Sequence, residues 1–167
     1  MSIAAVQKHL AASRLGEVEL RAYFVQLCKS LGASMIHDPK VLSIDVVVDD
    51  SVTDADISVS LGLIVTELVI NALKHGFPGG AEGEILVGYD AQESGWRLSV
   101  SDNGPGPQDA SGQAAHIGLG TSIVEALAHQ LNATVHKTTG AQGTTVTITA
   151  PTINAGVATD GKMGGRA

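Results

Sequence analysis

Glu67, Asn71 and Lys74 recur at intervals of four and three within LGLIVTELVINALKHGF, residues 61 to 77. At about 100° per residue they fall within an arc of roughly 60°, with His75 beside it. A carboxylate, a carboxamide and an ammonium on one helical stripe are the makings of a polar site. The rest of the stretch is apolar. Leu61, Ile64, Val65, Leu68, Val69, Ala72 and Leu73 form a broad face, and Leu63 and Ile70 flank the polar notch. A helix of this composition belongs in a core, where the notch residues must be paired or must face a ligand. The plain alternative is a self-satisfied Glu/Lys cluster on a half-exposed helix.

Two further groupings could do chemistry. Asp102, Asn103, Gly104, Pro105 and Gly106 stand where an alternating segment stops. An aspartate at the end of a sheet can accept a hydrogen bond from an exocyclic amine, and glycines behind it let backbone approach a flat ring. Asp, Asn and Gly are also ordinary turn residues. Gly118, Leu119 and Gly120 precede Thr121 and a helical pattern. Glycines at a helix start aim unpaired N–H groups and the positive dipole end at an anion, so phosphate is the natural ligand. They serve equally as common caps.

The elements that must position these residues follow from periodicity. Met1 to Ser13 has Ile3, Val6 and Leu10 at helical spacing but is too short to be stable alone. Glu19 to Met35 predicts an amphipathic helix with Leu20, Tyr23, Phe24, Leu27, Cys28 and Leu31 on its apolar face. Ile44 to Val48 suits a strand. Asp54 or Asp56 is placed to cap the notch helix, which should stop at Gly76 before Pro78, Gly79 and Gly80. Glu84 to Tyr89 and Trp96 to Ser101 read as a hairpin, with Trp96 a packing or rim residue. Pro107 to Ile117 reads as a mobile loop. Thr121 should cap a helix to Leu131 with Ile123, Val124, Leu127, Ala128 and Leu131 buried. Ala133 to Thr138 and Thr144 to Ala150 predict a second hairpin. The expected fold is α+β, a two-layer sandwich of a mixed, mostly antiparallel sheet with helices on one face.

One well-buried domain fits 167 residues. The net charge of −7, with ten Lys plus Arg, speaks against nucleic acid or an anionic membrane surface as partner. It leaves nucleotide binding open, because backbone N–H groups and a metal can hold phosphate. The lone Cys28 reads as a small core residue. With no signal segment and no apolar run long enough to span a bilayer, the expected location is cytoplasmic.

Taken in order, TELVINALKHGFPGG, SDNGPG, GLGTSIVEALAHQL and GTTVTITAP resemble the nucleotide-binding boxes of the GHKL ATPase superfamily, whose fold is of the Bergerat type. More narrowly they resemble the catalytic domain of a sensor histidine kinase, of the subfamily with an ELVTNALKHAFP-like asparagine box. The likeness covers roughly Asp45 to Pro151. Residues 1–18 are more loosely similar to the end of a dimerisation and linker segment, 19–151 to the catalytic domain, and 152–167 read as a disordered tail.

The resemblance implies ATP and Mg²⁺ as cofactors. It gives Asn71 a Mg²⁺ ligand role, and Glu67 the orientation of a metal-bound water or polarisation of the nucleophile. Lys74 and His75 would face the phosphates. Asp102 would bind the adenine amine, with Gly104 and Gly106 shaping the pocket. Gly118, Leu119 and Gly120 would donate to phosphate, and Thr144, with Thr145, would reach adenine through Asp102 or a water. The implied partners are a dimerisation and histidine-phosphoacceptor domain and a response regulator, with no nucleic acid and no direct membrane contact. The family's basic acceptor motif is missing. His9 lacks the expected neighbours, and His37, His116, His129 and His136 have no metal-ligand spacing. The reading is an ATP-binding catalytic domain acting on a histidine elsewhere. A stand-alone anti-sigma-factor-type serine kinase and a non-catalytic nucleotide-binding module are the alternatives.

Overall fold

The computed structural model describes residues 16–105 and 119–151. Strand β1 (Glu17–Glu19) runs into helix α1 (Leu20–Met35), and β2 (Leu42–Val48) is followed by β3 (Val52–Asp54) and helix α2 (Ala55–His75). After a 3-10 turn at Pro78–Gly80 come β4 (Gly83–Gln92), β5 (Gly95–Asp102), helix α3 (Leu119–Gln130), β6 (Thr134–Gly140) and β7 (Gly143–Pro151). The expected segments at Met1 to Ser13, Pro107 to Ile117 and 152–167 lie outside the described residues.

Five strands form one sheet in the order β2-β4-β5-β7-β6. β2 and β4 are parallel, joined by the crossover that contains α2, and every other pairing is antiparallel. Alternation decides the faces. Ile85, Val87 and Tyr89 on β4, Leu98, Val100 and Asp102 on β5, and Ile148 and Ala150 on β7 are buried under the helices. The opposite face exposes Val47 and Leu86. The two-layer α+β expectation therefore holds, with the helices on one face.

The apolar face of α1 is the expected one: Leu20, Tyr23, Phe24, Leu27, Cys28 and Leu31 are all buried. Burial pushes the Cys28 thiol up to about 12, as suits an inert core residue. Phe24 meets Tyr89 edge-on at 6.4 Å, and Tyr89 stacks on half-buried Trp96 at 5.9 Å. A short ribbon that sequence periodicity does not reveal pairs β1 with β3. It ties down two helix starts, since Leu20 donates its N–H to Ser51 O at 3.1 Å and Ala55 to Gly16 O at 2.9 Å.

Several expectations are corrected. α2 starts at Ala55, and neither Asp54 nor Asp56 caps it: Asp54 stands at the cap position without a side-chain bond, and Asp56 lies in the first turn. The Ala55 N–H already has the Gly16 carbonyl as its acceptor. With 21 residues and an 18-residue window of mean hydropathy 1.7, α2 is long and apolar enough by length and composition to cross a membrane, contrary to expectation. It is a core helix, with nine residues buried, including Leu61, Ile64, Val65, Leu68 and Val69. α3 begins at Leu119, so Thr121 lies inside it and is not its cap. Val124 and Ala128 form the buried face of α3, Leu127 and Leu131 flank it half-buried, and Ile123 faces outward.

Candidate functional site at the end of the central strand

β5 is the middle strand of the sheet, and its last residue, Asp102, is 9% exposed. Its Oδ1 accepts the Gly104 N–H at 3.1 Å, which turns the chain off the sheet. Asn103 latches that turn to the start of β4. It donates its N–H to Glu84 O at 3.2 Å, and its Oδ1 accepts the Glu84 N–H at 2.7 Å. Read from sequence, Asn103 is only a turn residue; the signal is the pairing of two segments 19 positions apart, which no local pattern contains.

Three glycines close on this strand end. A Cβ on Gly104 would strike the Gly76 carbonyl and come within 3.2 Å of the Phe77 ring. One on Gly143, whose φ is +114°, would strike the Asp102 carbonyl, and one on Gly76 would lie 3.0 Å from Asp102 Cγ. The end of α2 and the start of β7 thus sit against Asp102 with no room for side chains between. Burial pushes the Asp102 carboxyl above the usual aspartate range, opposed by the backbone N–H groups of Gly104 and Thr144 and by the charge of Lys137.

Asn71 lies five residues before Gly76 on α2, about 7.5 Å along the helix axis, and Glu67 about 6 Å further back. Both are half-buried, and Lys74 and His75 are exposed. The expectation of a fully buried stripe is corrected accordingly, because the apolar residues turn to the core and leave the notch at the surface. Among the described residues no side-chain hydrogen bond or ion pair involves Glu67, Asn71, Lys74 or His75; the two ion pairs join Arg21 to Asp50 and Arg97 to Asp90. A self-satisfied Glu/Lys cluster is therefore not what forms.

Thr144 is the cross-strand partner of Asp102 and shares its face. Its hydroxyl lies 3.4 Å from Thr139 Oγ1. Thr145 pairs with Ser101 and turns to the open face, away from Asp102. Leu119 and Gly120 form the first turn of α3, which packs beside α2. The first N–H groups of a helix lack intrahelical partners. Gly106, Gly118 and His116 lie outside the described residues. His37, His129 and His136 are exposed, and among the described residues no three His, Cys, Asp or Glu side chains come together. Lys137, which composition and spacing do not single out, reaches this face because β6 follows β7 in the sheet.

Residues 56–154 match the model of the histidine kinase-, DNA gyrase B-, and HSP90-like ATPase family. The chain is 27% identical over 135 residues to blue-light-activated histidine kinase 2 of Erythrobacter litoralis, a match that spans 80% of this chain and 38% of that protein. Among solved structures, the histidine kinase domain of the Erythrobacter litoralis EL346 blue-light-activated kinase superposes with a TM-score of 0.73 at 24% identity, over 87% of this chain and 69% of that one. Histidine kinase AdeS of Acinetobacter baumannii gives 0.63 at 18% identity, over 90% and 74%. These two likenesses speak for the fold, and the family match covers more than half of the sequence. The chain belongs to the histidine kinase-, DNA gyrase B- and HSP90-like ATPase family.

Proposed function

We propose that this is the ATP-binding catalytic domain of a two-component sensor histidine kinase, transferring the γ-phosphoryl group of Mg-ATP to a histidine on a separate domain. The observation that carries the reading is Asp102, a buried carboxyl ringed by glycines, one and a half helical turns beyond an unbonded Asn71. Glycine backbone without room for a Cβ suits a flat ring laid against it, and a buried carboxyl acceptor beside it suits an exocyclic amine.

When bound, Mg-ATP supplies the phosphoryl group and the metal charge that offsets phosphate repulsion. In this reading Asp102 accepts from the base, with Thr144 beside it. Gly118, Leu119 and Gly120 offer N–H groups to the phosphates, aided by the positive end of α3. Lys74 and His75 balance the charge, and Asn71 presents its amide oxygen to Mg²⁺, whose remaining shell suits phosphate and water. Glu67, further along α2, orients water or polarises the incoming imidazole. Such chemistry needs positioning and charge neutralisation more than a strong base. The domain would act in the cytoplasm, with a dimerising acceptor domain and a response regulator as partners.

Incubation with radiolabelled ATP and a helical domain bearing the acceptor histidine tests the proposal. The expected product is labelled on that domain, acid-labile and alkali-stable. Acid-stable label on an anti-sigma antagonist would favour the serine-kinase reading instead.

A further inference from the structure

Strand β6 departs from the pattern of its neighbours. Register places Val135 opposite Ile148, Lys137 opposite Val146 and Thr139 opposite Thr144, so Lys137 occupies a position on the helix-covered face, where β7 carries valine. Thr144 in turn pairs with Asp102. Lys137 therefore stands two strands across and two residues along from Asp102, on the same face of the sheet and at the same end. Lys137 is exposed, and its plain role would be protection: β6 is an edge strand, and a lysine there discourages pairing with another sheet.

We propose that Lys137 is a positioning residue of the nucleotide site, acting on Asp102 from the far side of β7 and not on the phosphates. Among the described residues, the titratable groups on the elements around Asp102 are Asp56, Glu67, Lys74 and His75 on α2, Glu84, Tyr89 and Asp90 on β4, Arg97 on β5, Glu125 and His129 on α3, and His136 and Lys137 on β6. Glu84 and His136 alternate onto the open face. Of all these, Lys137 is the one whose charge bears on the carboxylate, favouring its ionised form against burial. The ionised form is acceptor-only and keeps lone pairs beyond those that the Gly104 and Thr144 N–H groups occupy; a protonated carboxyl presents a donor where the base amine needs an acceptor. Lys137 thereby holds Asp102 ready for the base.

The inference rests on the nucleotide reading above. Its test is the affinity for ADP and for adenosine between about pH 5 and pH 8, in the parent, Lys137→Met and Lys137→Arg. With Lys137→Met the acid-side loss of affinity should set in at higher pH, a roughly threefold weakening on that limb, for both ligands alike. Lys137→Arg should keep the parent profile. Parent-like behaviour of Lys137→Met at every pH overturns the inference alone and leaves edge protection as its role. A pH-independent loss for ADP that spares adenosine overturns it in favour of a phosphate contact. Failure of the parent to bind either ligand overturns the nucleotide reading, and this inference with it. Circular dichroism of Lys137→Met and Lys137→Arg separates an altered profile from a folding defect, since a charge effect predicts parent-like spectra and Arg rescue.

Discussion

Asp102 is costly to the fold in its charged form. Its carboxyl is raised by burial, so the cost is absent below the unfolded pKa, grows as pH rises through the folded pKa, and is fully present above it. We predict that Asp102→Asn, which keeps an acceptor for the Gly104 N–H, melts at or above the parent temperature at neutral pH and gains nothing near pH 3. The same variant should lose at least about tenfold in ADP affinity, because an amide replaces the charged acceptor. A variant both less stable and unaltered in binding would show that Asp102 is structural. Asn71 makes no side-chain bond among the described residues, so Asn71→Ala should leave the melting temperature within about 2 °C of the parent. Its effect should appear only as weaker Mg²⁺-dependent ADP binding, measured with and without the metal. Both residues are legible in the sequence, since a helical period and a strand end suffice to find them. Asn103 and Lys137 are not, because the contacts that give them meaning cross strands far apart in the chain.

Among the elements, α1 and α2 approach tightly at Gly62. A Cβ on Gly62 would fall on the buried Tyr23 ring, 2.7 Å from its Cζ. Gly62→Ala should therefore lower stability by about 1–3 kcal/mol as the helices part, read as a fall in urea midpoint. The Asn103 latch is a second such point: Asn103→Ala unpairs the Glu84 N–H and should lose about 1–2 kcal/mol. At the other end of the sheet Asp49 accepts the Ser51 N–H at 3.0 Å and the Ala91 N–H at 2.7 Å. Burial alone would raise its carboxyl, but these bonds and Arg21 hold it below the usual range. Its contribution to stability is present above the unfolded pKa and lost as pH falls through the folded one, the opposite sign to Asp102. Helices were easier to read than their ends. The buried face of α1 follows from a period of three and four, whereas the start of α2 depends on Gly16 and that of α3 precedes the Thr121 that looked like its cap.

For the whole molecule, the sheet order β2-β4-β5-β7-β6 is what gathers the site. It sets the ends of α2 and β5 and the start of β7 around one carboxyl, and leaves Glu67 and Asn71 half-buried on a helix whose apolar face is core. Local periodicity predicts the five strands of this sheet and both hairpins but not the β1/β3 ribbon, nor that β7 lies between β5 and β6, nor the parallel pairing of β2 with β4. The chain spans 38% of the length of the curated relative it matches. More narrowly, we propose that this domain holds a metal-bound adenine nucleotide between Asp102 and Asn71. Calorimetric titration of the chain with ADP, with and without Mg²⁺, tests it most directly. We expect saturable binding strengthened by Mg²⁺, with the metal effect lost in Asn71→Ala and binding lost in Asp102→Ala. Absence of binding by the parent, or identical titrations for all three proteins, would contradict it.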